Sequence, residues 1–431
     1  MTAICGLFLW VNKKMAMKQT QTKFFAFSDV GLDLASISRA RIPAAFKKVL
    51  NTGYNEQTVL SVSVTGNQVV FTYGGVHGYT ESRVLKVNSG PLSEINAGEF
   101  HIDSVTVNTV TLTIDDAPAS ISGGFKTVVA PLGWDLVYEL DLVQLYKMRY
   151  LDERELYVRF VFSPATGQHK STSNVCVGKT ANEATGEITD PDTLDDGKTN
   201  IIPMIGLQWM FSQQVNASDA NFTAAQGLAN YGNFFIVGSK YHLTCMSNGY
   251  ATNYPGRFFA ILPAHVYDFD ALDYPLIIGM RSITAMNTYN GSDYNQFNSQ
   301  TSSPTSHFYI GKTPVALDKN TNPAASDVID STASAAASFF PESLDTFNTF
   351  AAAPITIYER TTRQFLGYVS GGAYRSEVLY GQLGNIAAVS LPKITSDEYG
   401  VSIPYQVVWS GQSASHVHVF SAPVEEIKIE S

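Results

Sequence analysis

Three Gly-Lys-Thr tripeptides raise the first question of chemistry: Gly178-Lys179-Thr180, Gly197-Lys198-Thr199 and Gly311-Lys312-Thr313. A loop that cradles phosphate needs a further glycine five residues ahead, so that backbone amides can wrap the anion beside the lysine. Those positions hold Ser173, Asp192 and Ser306, and ordinary turns are expected instead. Asp190, Asp192, Asp195 and Asp196 form one acidic run, and Asp268, Asp270 and Asp273 another. Neither run has the glycine and the terminal glutamate of a calcium-binding helix-loop-helix, so both read as solvated turns.

His416-Val417-His418 would set two imidazoles on one face of a strand, but a closed metal site needs four ligands and no others are in view. His77, His101, His169, His242, His265 and His307 are scattered, with no His-Glu-x-x-His helix. No Gly-x-Ser-x-Gly elbow occurs. For glycoside hydrolysis, Asp135, Glu139, Asp141 and Glu155 are the best-placed acids, near expected strand ends, and roles in stability or solvation suit them better. No cofactor and no metal is expected.

The richest signal is aromatic. Phe234, Phe235, Tyr250, Tyr254, Phe258, Phe259, Tyr267, Phe269 and Tyr274 crowd one stretch. Such rings serve sugar stacking and protein interfaces alike. With few basic residues interleaved, core plus subunit interface is the favoured reading, with Phe234, Phe235, Tyr250, Tyr254, Phe258 and Phe259 as interface candidates. Val417, Val419, Ile427 and Ile429 join them, on a terminal extended segment over 417–429 whose free edge could add to a neighbour's sheet.

The elements that would position these residues are mostly strands. The chain has 431 residues, enough for several domains, with 45% hydrophobic and 12% aromatic residues. Only 15% are charged, against about 25% in a typical globular chain, and Ser, Thr, Asn and Gly fill the difference. A net charge of −10 argues against a broad surface for duplex DNA or anionic lipid, so no direct nucleic-acid readout is expected. Cys5, Cys176 and Cys245 are distant and odd in number, without a Cys-x-x-Cys pair, which fits a reducing site of synthesis. The apolar run at 4–11 has Lys13 and Lys14 behind it rather than in front, unlike a secretory signal. Met15 or Met17 reads as a more natural start. Nothing approaches the ~18 apolar residues of a membrane span.

Pro43 and Gly53 bracket a helix expected over 43–51, with Ser28-Asp29 as an earlier cap. From Thr58 the period becomes two: Leu60, Val62 and Val64, a Thr65-Gly66-Asn67 turn, then Val69, Phe71 and Tyr73. Strands are also expected at 84–87, 99–107 and 110–114, giving a module of about five. A hairpin over 142–150 and 156–162 follows, then strands at 234–237, 241–246, 258–262 and 276–278. Later strands are expected at 355–358, 366–368, 378–380, 401–403 and 407–409. The expected fold is mainly β: several small antiparallel sandwich- or barrel-like modules with one short N-terminal helix and long polar loops. Its divisions are an extension and helix over 1–54, a small β-module over 55–130 and a central β-domain over 131–285 with a polar insertion at 163–200. Low-complexity loops over 286–350, polar at 288–306 and 320–338, and a C-terminal β-region over 351–431 complete it.

The order of these signals resembles that of tailed-bacteriophage virion proteins of the tail, baseplate or neck. The residues that carry the likeness are Thr58-Val59-Leu60-Ser61-Val62-Ser63-Val64, Gly98-Glu99-Phe100-His101-Ile102, Val105-Thr106, Thr111-Leu112-Thr113-Ile114 and Ala130-Pro131-Leu132-Gly133-Trp134. They form a small Thr/Val-rich β-module ahead of a larger β-region, a likeness of style and order over roughly residues 28–390. The resemblance implies a non-enzymatic structural protein of the virion and supplies no catalytic residues. Its partners would be itself, in a ring of about three or six copies, and neighbouring virion proteins. Two alternatives have distinct marks: an exposed aromatic patch for a receptor- or carbohydrate-binding tip, and paired carboxylates in a cleft for a hydrolase.

Overall fold

The computed structural model describes residues 22–166, 170–203, 205–212, 220–226, 233–248, 256–282, 308–317, 352–376, 392–396, 402–410 and 416–424. The architecture is mainly β, with sheets built throughout from antiparallel pairs. No helix among the described residues is long and apolar enough to cross a membrane.

The chain enters as β1 (Lys23–Ala26), then runs through turns in which Leu32, Leu34 and Ile37 are buried. Helix α1 (Ile42–Lys47) follows, widening into one π-turn over Lys48–Thr52 before Gly53. Pro43 sits in the first helical turn, where its missing N–H removes no bond. The helix buries Phe46 against Phe160, Phe162 and Phe211, with ring centroids 5.3–5.6 Å apart. The expected cap at Ser28-Asp29 does not form, because Asp29 turns inward to a buried arginine.

Seven strands make the first barrel: β2 (Tyr54–Thr65), β3 (Gln68–Tyr73), β4 (Val84–Val87), β5 (Glu99–His101), β6 (Ser104–Val105), β7 (Thr109–Thr113) and β8 (Lys126–Val129). Their order is β5-β4-β8-β2-β3-β7-β6. The β2–β3 hairpin closes through Gly66-Asn67 as the alternation implies, since Thr65 pairs with Gln68. The two ends of the sheet meet in one bent strand. Ile102 N–H donates to Arg83 O at 2.8 Å, whereas Asp103 N–H donates to Thr111 O at 3.0 Å. That bend splits the expected 99–107 strand in two, and β8 was too short between Gly123-Gly124 and Pro131 for any period to show.

A six-stranded sheet follows: β9 (Asp135–Leu140), β10 (Val143–Arg149), β11 (Glu155–Phe162), β12 (Ser171–Gly178), then β15 (Gly206–Ser212) and, from later in the chain, Met280–Ser282. Between β12 and β15 lie the small hairpin β13 (Ala181–Asn182) and β14 (Glu187–Ile188) and the single turn α2 (Asp195–Lys198). The expected hairpin over 142–162 is present in register. The polar stretch at 163–200, however, contains β12, a strand buried along its whole length. Part of its polar content is satisfied internally: Ser163 Oγ and Thr172 Oγ1 lie 2.7 Å apart, and Asn174 Nδ2 donates to Ile205 O, whereas Ser171 Oγ and Asn174 Oδ1 are buried without a hydrogen-bond partner among the described residues.

The largest sheet has ten strands. It adds β16 (Phe234–Gly238), β17 (Leu243–Ser247), β18 (Arg257–Leu262), β19 (Ala264–Val266), β20 (Leu276–Ile278), β22 (Phe308–Ile310), β23 (Thr313–Ala316), β25 (Thr356–Glu359) and β26 (Phe365–Val369) to β1. Only Pro263 separates β18 from β19, yet β18 lies in mid-sheet and β19 at its far end beside β26. The sheet therefore curls into a second closed ring, and Ser370 N–H donates to Pro263 O at 2.8 Å. Chain β20 continues through Gly279 as β21 (Met280–Ser282), so one extended segment belongs to both the ten- and the six-stranded sheet. The large sheet is also a wall between two cores. Phe25, Phe234, Ile236, Leu243, Phe259 and Ile261 point into one, and Phe24, Phe235, Val237, Met246, Phe258 and Leu262 into the other. Continuous apolar runs, not alternation, are what such double-faced strands require.

A five-stranded sheet closes the fold: β24 (Ala352–Ala353), β27 (Tyr374–Ser376), β28 (Lys393–Ser396), β29 (Ser402–Ser410) and β30 (His416–Ser421), in the order β24-β27-β30-β29-β28. It stacks on the second core, with Phe420 lying 4.2 Å from Phe258 at 15°. Here β30 is the central strand, paired with β29 along its length and with β27 over Val419–Ser421, so Val419 offers no free edge to a neighbour. The strands expected at 401–403 and 407–409 are one, and that at 378–380 lies outside the described residues, as do the loops at 288–306 and 320–338.

Candidate functional site

The residues first suspected of chemistry are brought together as a neutralised joint. Asp190, buried, accepts hydrogen bonds from Tyr274 Oη at 2.8 Å, Lys179 N at 2.6 Å and Asp192 N at 2.9 Å. Lys179 Nζ stands 3.0 Å from Asp273 and 4.4 Å above the Tyr274 ring. Lys312 Nζ pairs with Asp192 at 2.7 Å, and Lys198 with Asp195 at 2.7 Å. Arg154 forks onto Asp273 and covers the Tyr150 ring at 4.7 Å. Burial pushes the Asp273 carboxyl up, but Arg154 and Lys179 outweigh it and hold it low. Burial and the Asp190 carboxylate raise the Tyr274 phenol far above its ordinary range. Gly311, at φ +57°, brings its backbone so close to Asp192 O that a Cβ would sit at 2.7 Å. Two Gly-Lys-Thr segments, Asp190 and Asp192 of the first acidic run and Asp273 of the second thus meet around Tyr274, and each ammonium there already has its carboxylate. No phosphate is needed to explain any of them.

The acids considered for hydrolysis are similarly occupied. Glu139 accepts from Lys47 and from Gln144 Nε2 at 3.0 Å, and the Lys47 bond lowers its pKa. Glu155 lies 3.2 Å from Arg149 and 3.7 Å from Lys147. Asp135 is exposed and stands opposite Lys147 in register; Asp141, at φ +51°, makes the β9–β10 turn. Among the described residues, no group of three or more His, Cys, Asp or Glu is placed to hold a metal ion.

The interface candidates fall into two groups. Phe234, Phe235, Phe258, Phe259 and Val419 are buried in the chain's own cores. Val417 pairs through its backbone with Trp409, while Tyr250, Tyr254, Ile427 and Ile429 lie outside the described residues.

Two exposed apolar surfaces emerge instead. At one end of the first barrel, Leu60, Val76 and Val107 are 62%, 79% and 70% exposed. They are firmly presented. His77 Nδ1 accepts from Tyr79 N at 2.9 Å, so Nε2 carries the proton and donates to Thr106 O at 2.9 Å, tying the Val76 loop to the Val107 loop. On the outside of the second barrel, rings stand in three pairs. Tyr358 and Phe365 are cross-strand partners 5.8 Å apart, His265 and Tyr368 are partners 5.4 Å apart, and Tyr267 lies 6.4 Å from Phe269. Tyr267, Phe269, Phe365 and Tyr368 are 49%, 61%, 45% and 43% exposed, whereas Ile357, Leu366 and Val369 between them point into the barrel. Tyr267 and Phe269 stood out in the sequence only as part of a crowd; Phe365 and Tyr368, three residues apart across the Gly367 irregularity, carried no periodic signal.

Comparison with family models, with curated proteins and with solved structures gives no match.

Proposed function

We propose that the chain is a non-enzymatic structural component of a tailed-phage virion, set in the tail, baseplate or neck and self-associating about a symmetry axis. The observation that carries this reading is the rigid aliphatic tip of Leu60, Val76 and Val107, in the same Thr/Val-rich module on which the resemblance rests. Exposed apolar side chains held on braced loops suit a contact that excludes water, and closed rings are the common outcome of self-association. The occupied state of Glu139 and Glu155 favours structure over hydrolysis.

Light-scattering mass across micromolar concentrations tests the proposal. The expected result is a defined multiple of 47.0 kDa, reduced to a smaller species by Val76→Asp/Val107→Asp. A parent chain that stays monomeric, or a variant that assembles unchanged, speaks against it. An Asp135→Ala/Glu139→Ala/Glu155→Ala variant that assembles normally while a hydrolytic activity disappears would replace it with the enzyme reading.

A further inference from the structure

Among the described residues, the large exposed apolar side chains are segregated by type. Four large aromatic side chains are exposed among the described residues, and all four, Tyr267, Phe269, Phe365 and Tyr368, belong to the one strip on the second barrel. The nine exposed aliphatic residues, Leu60, Val76 and Val107 among them, lie on other elements. A protein contact has no need of that division, since apolar side chains of every shape serve it. A sugar does, because its C–H faces lie flat against rings and gain little from branched aliphatic groups.

The polar groups within the strip agree. Asp268 and Asp270 alternate with Tyr267 and Phe269 and are exposed. Among the described residues, neither carboxylate has a hydrogen-bond or ion-pair partner, although Asp192, Asp195 and Asp273 nearby in sequence or space are all paired with lysine or arginine. Unpaired carboxylates at the centre of a protein interface are disfavoured. Beside a sugar they accept hydroxyl protons, two oxygens at a time. His265, outward on β19, adds a further polar group next to Tyr368. Arg360 and Arg363 stand in the β25–β26 loop beside Tyr358 and Phe365, while Asp268 and Asp270 set two carboxylates beside Tyr267 and Phe269, which oppose an anionic chain there and complement one that offers donors.

We propose that this strip is a glycan-binding platform for a neutral sugar chain, with Tyr267, Phe269, Phe365 and Tyr368 as stacking surfaces and Asp268 and Asp270 as hydroxyl acceptors. The underlying barrel supplies rigidity. Its closing pair, His265 against Tyr368, fixes the ring positions, and Gly367 at φ +156° permits the tight approach to β19.

Isothermal titration of the full chain with cellohexaose, maltohexaose and chitohexaose, and with hyaluronan as an anionic control, tests this. At least one neutral hexamer is expected to bind and hyaluronan to be rejected. Phe269→Ala/Tyr368→Ala should weaken binding at least tenfold, with Tyr267→Ser and Asp268→Asn/Asp270→Asn each weakening it several-fold. These side chains face solvent, so melting curves that overlay the parent's show that the fold is kept. Failure of all three neutral hexamers to bind, equal binding of hyaluronan, or an unchanged affinity in the double ring variant overturns the proposal. So does a double ring variant whose only defect is a lower light-scattering mass, which would make the strip a contact between copies.

Discussion

Asp29 and Arg83 meet as a buried fork, with Oδ1 to Nη2 at 2.8 Å and Oδ2 to Nε at 2.9 Å. The same carboxylate accepts Tyr54 Oη at 2.7 Å and the Ala26 amide at 3.0 Å, and the guanidinium lies 4.2 Å over Phe24. Burial opposes the charge on Arg83, yet Asp29 more than offsets it and raises the arginine's pKa; burial and Asp29 raise that of Tyr54. This node joins the start of the chain to the first barrel. Removing one partner leaves an uncompensated buried charge, so Asp29→Ala or Arg83→Met should each cost about 3–5 kcal/mol. The double variant should lose clearly less than the sum, because the two changes remove one shared interaction. Chemical denaturation of all four species measures the coupling, and additive losses would refute the pairing.

Arg159 is the second arginine to watch. It is buried on the outer face of β11 and donates from Nε to Gly186 O at 2.8 Å, and from Nη1 to Gly197 O at 3.1 Å and Asn200 O at 2.8 Å. Burial lowers its pKa, and carbonyl oxygens are the groups that solvate it. Arg159→Met should orphan these carbonyls, destabilise the chain by about 2–4 kcal/mol and expose residues 181–200 to thermolysin. Arg159→Lys should rescue little, since an ammonium cannot span carbonyls set in a fork. Cleavage no faster than in the parent would show that the insert is held by other contacts.

His242 gives the fold an acid limit. Its Nδ1 lies 2.8 Å from Ser239 Oγ, its ring packs against Gly372, and burial pulls its pKa down to about 4. The unfolded chain, with a histidine pKa of about 6.5, binds the proton first, so stability falls as pH drops from about 6.5 to 4. The full contribution is about 3 kcal/mol, at 1.36 kcal/mol per pKa unit. Above pH ~6.5 both states are neutral and the residue adds no pH dependence. Denaturation midpoints at pH 7 and 5 for the parent and His242→Asn check the sign, the variant showing the shallower decline. An equal decline in both would assign the acid sensitivity elsewhere.

Trimming the chain after residue 410 removes β30, the strand between β27 and β29, and with it the Phe258–Phe420 stack. The expected outcome is a destabilised protein, with a fall in melting temperature and loss of the five-stranded sheet, and not a well-folded chain that merely fails to assemble. A trimmed protein with an unchanged melting curve would contradict the central place of β30.

How far the sequence reaches depends on how many faces of an element are wet. The β2–β3 hairpin and the β10–β11 hairpin were legible because turn residues separate their strands at clear boundaries. Helix α1 was legible from Pro43 and Gly53. Strand β12 was not, since Ser171, Thr172, Ser173 and Asn174 are polar residues buried inside the fold, where composition alone suggests a loop. The aromatic residues posed the reverse difficulty. Phe234, Phe235, Phe258 and Phe259 read equally as a sticky surface or as a wall between two cores, and only the curl of the large sheet distinguishes these. For the candidate surfaces, Val76 and Val107 became visible only when His77 brought their loops together.

The segment that runs through β20 and β21 has a mechanical meaning. Its first half is laced to β18 and β22 and its second half to β15, with a single glycine between. Load applied to either sheet along that direction passes to the other as shear across many hydrogen bonds at once, as through a tie rod sewn into two fabrics. Such a chain resists stretching as one body, and it yields only when both seams give way together.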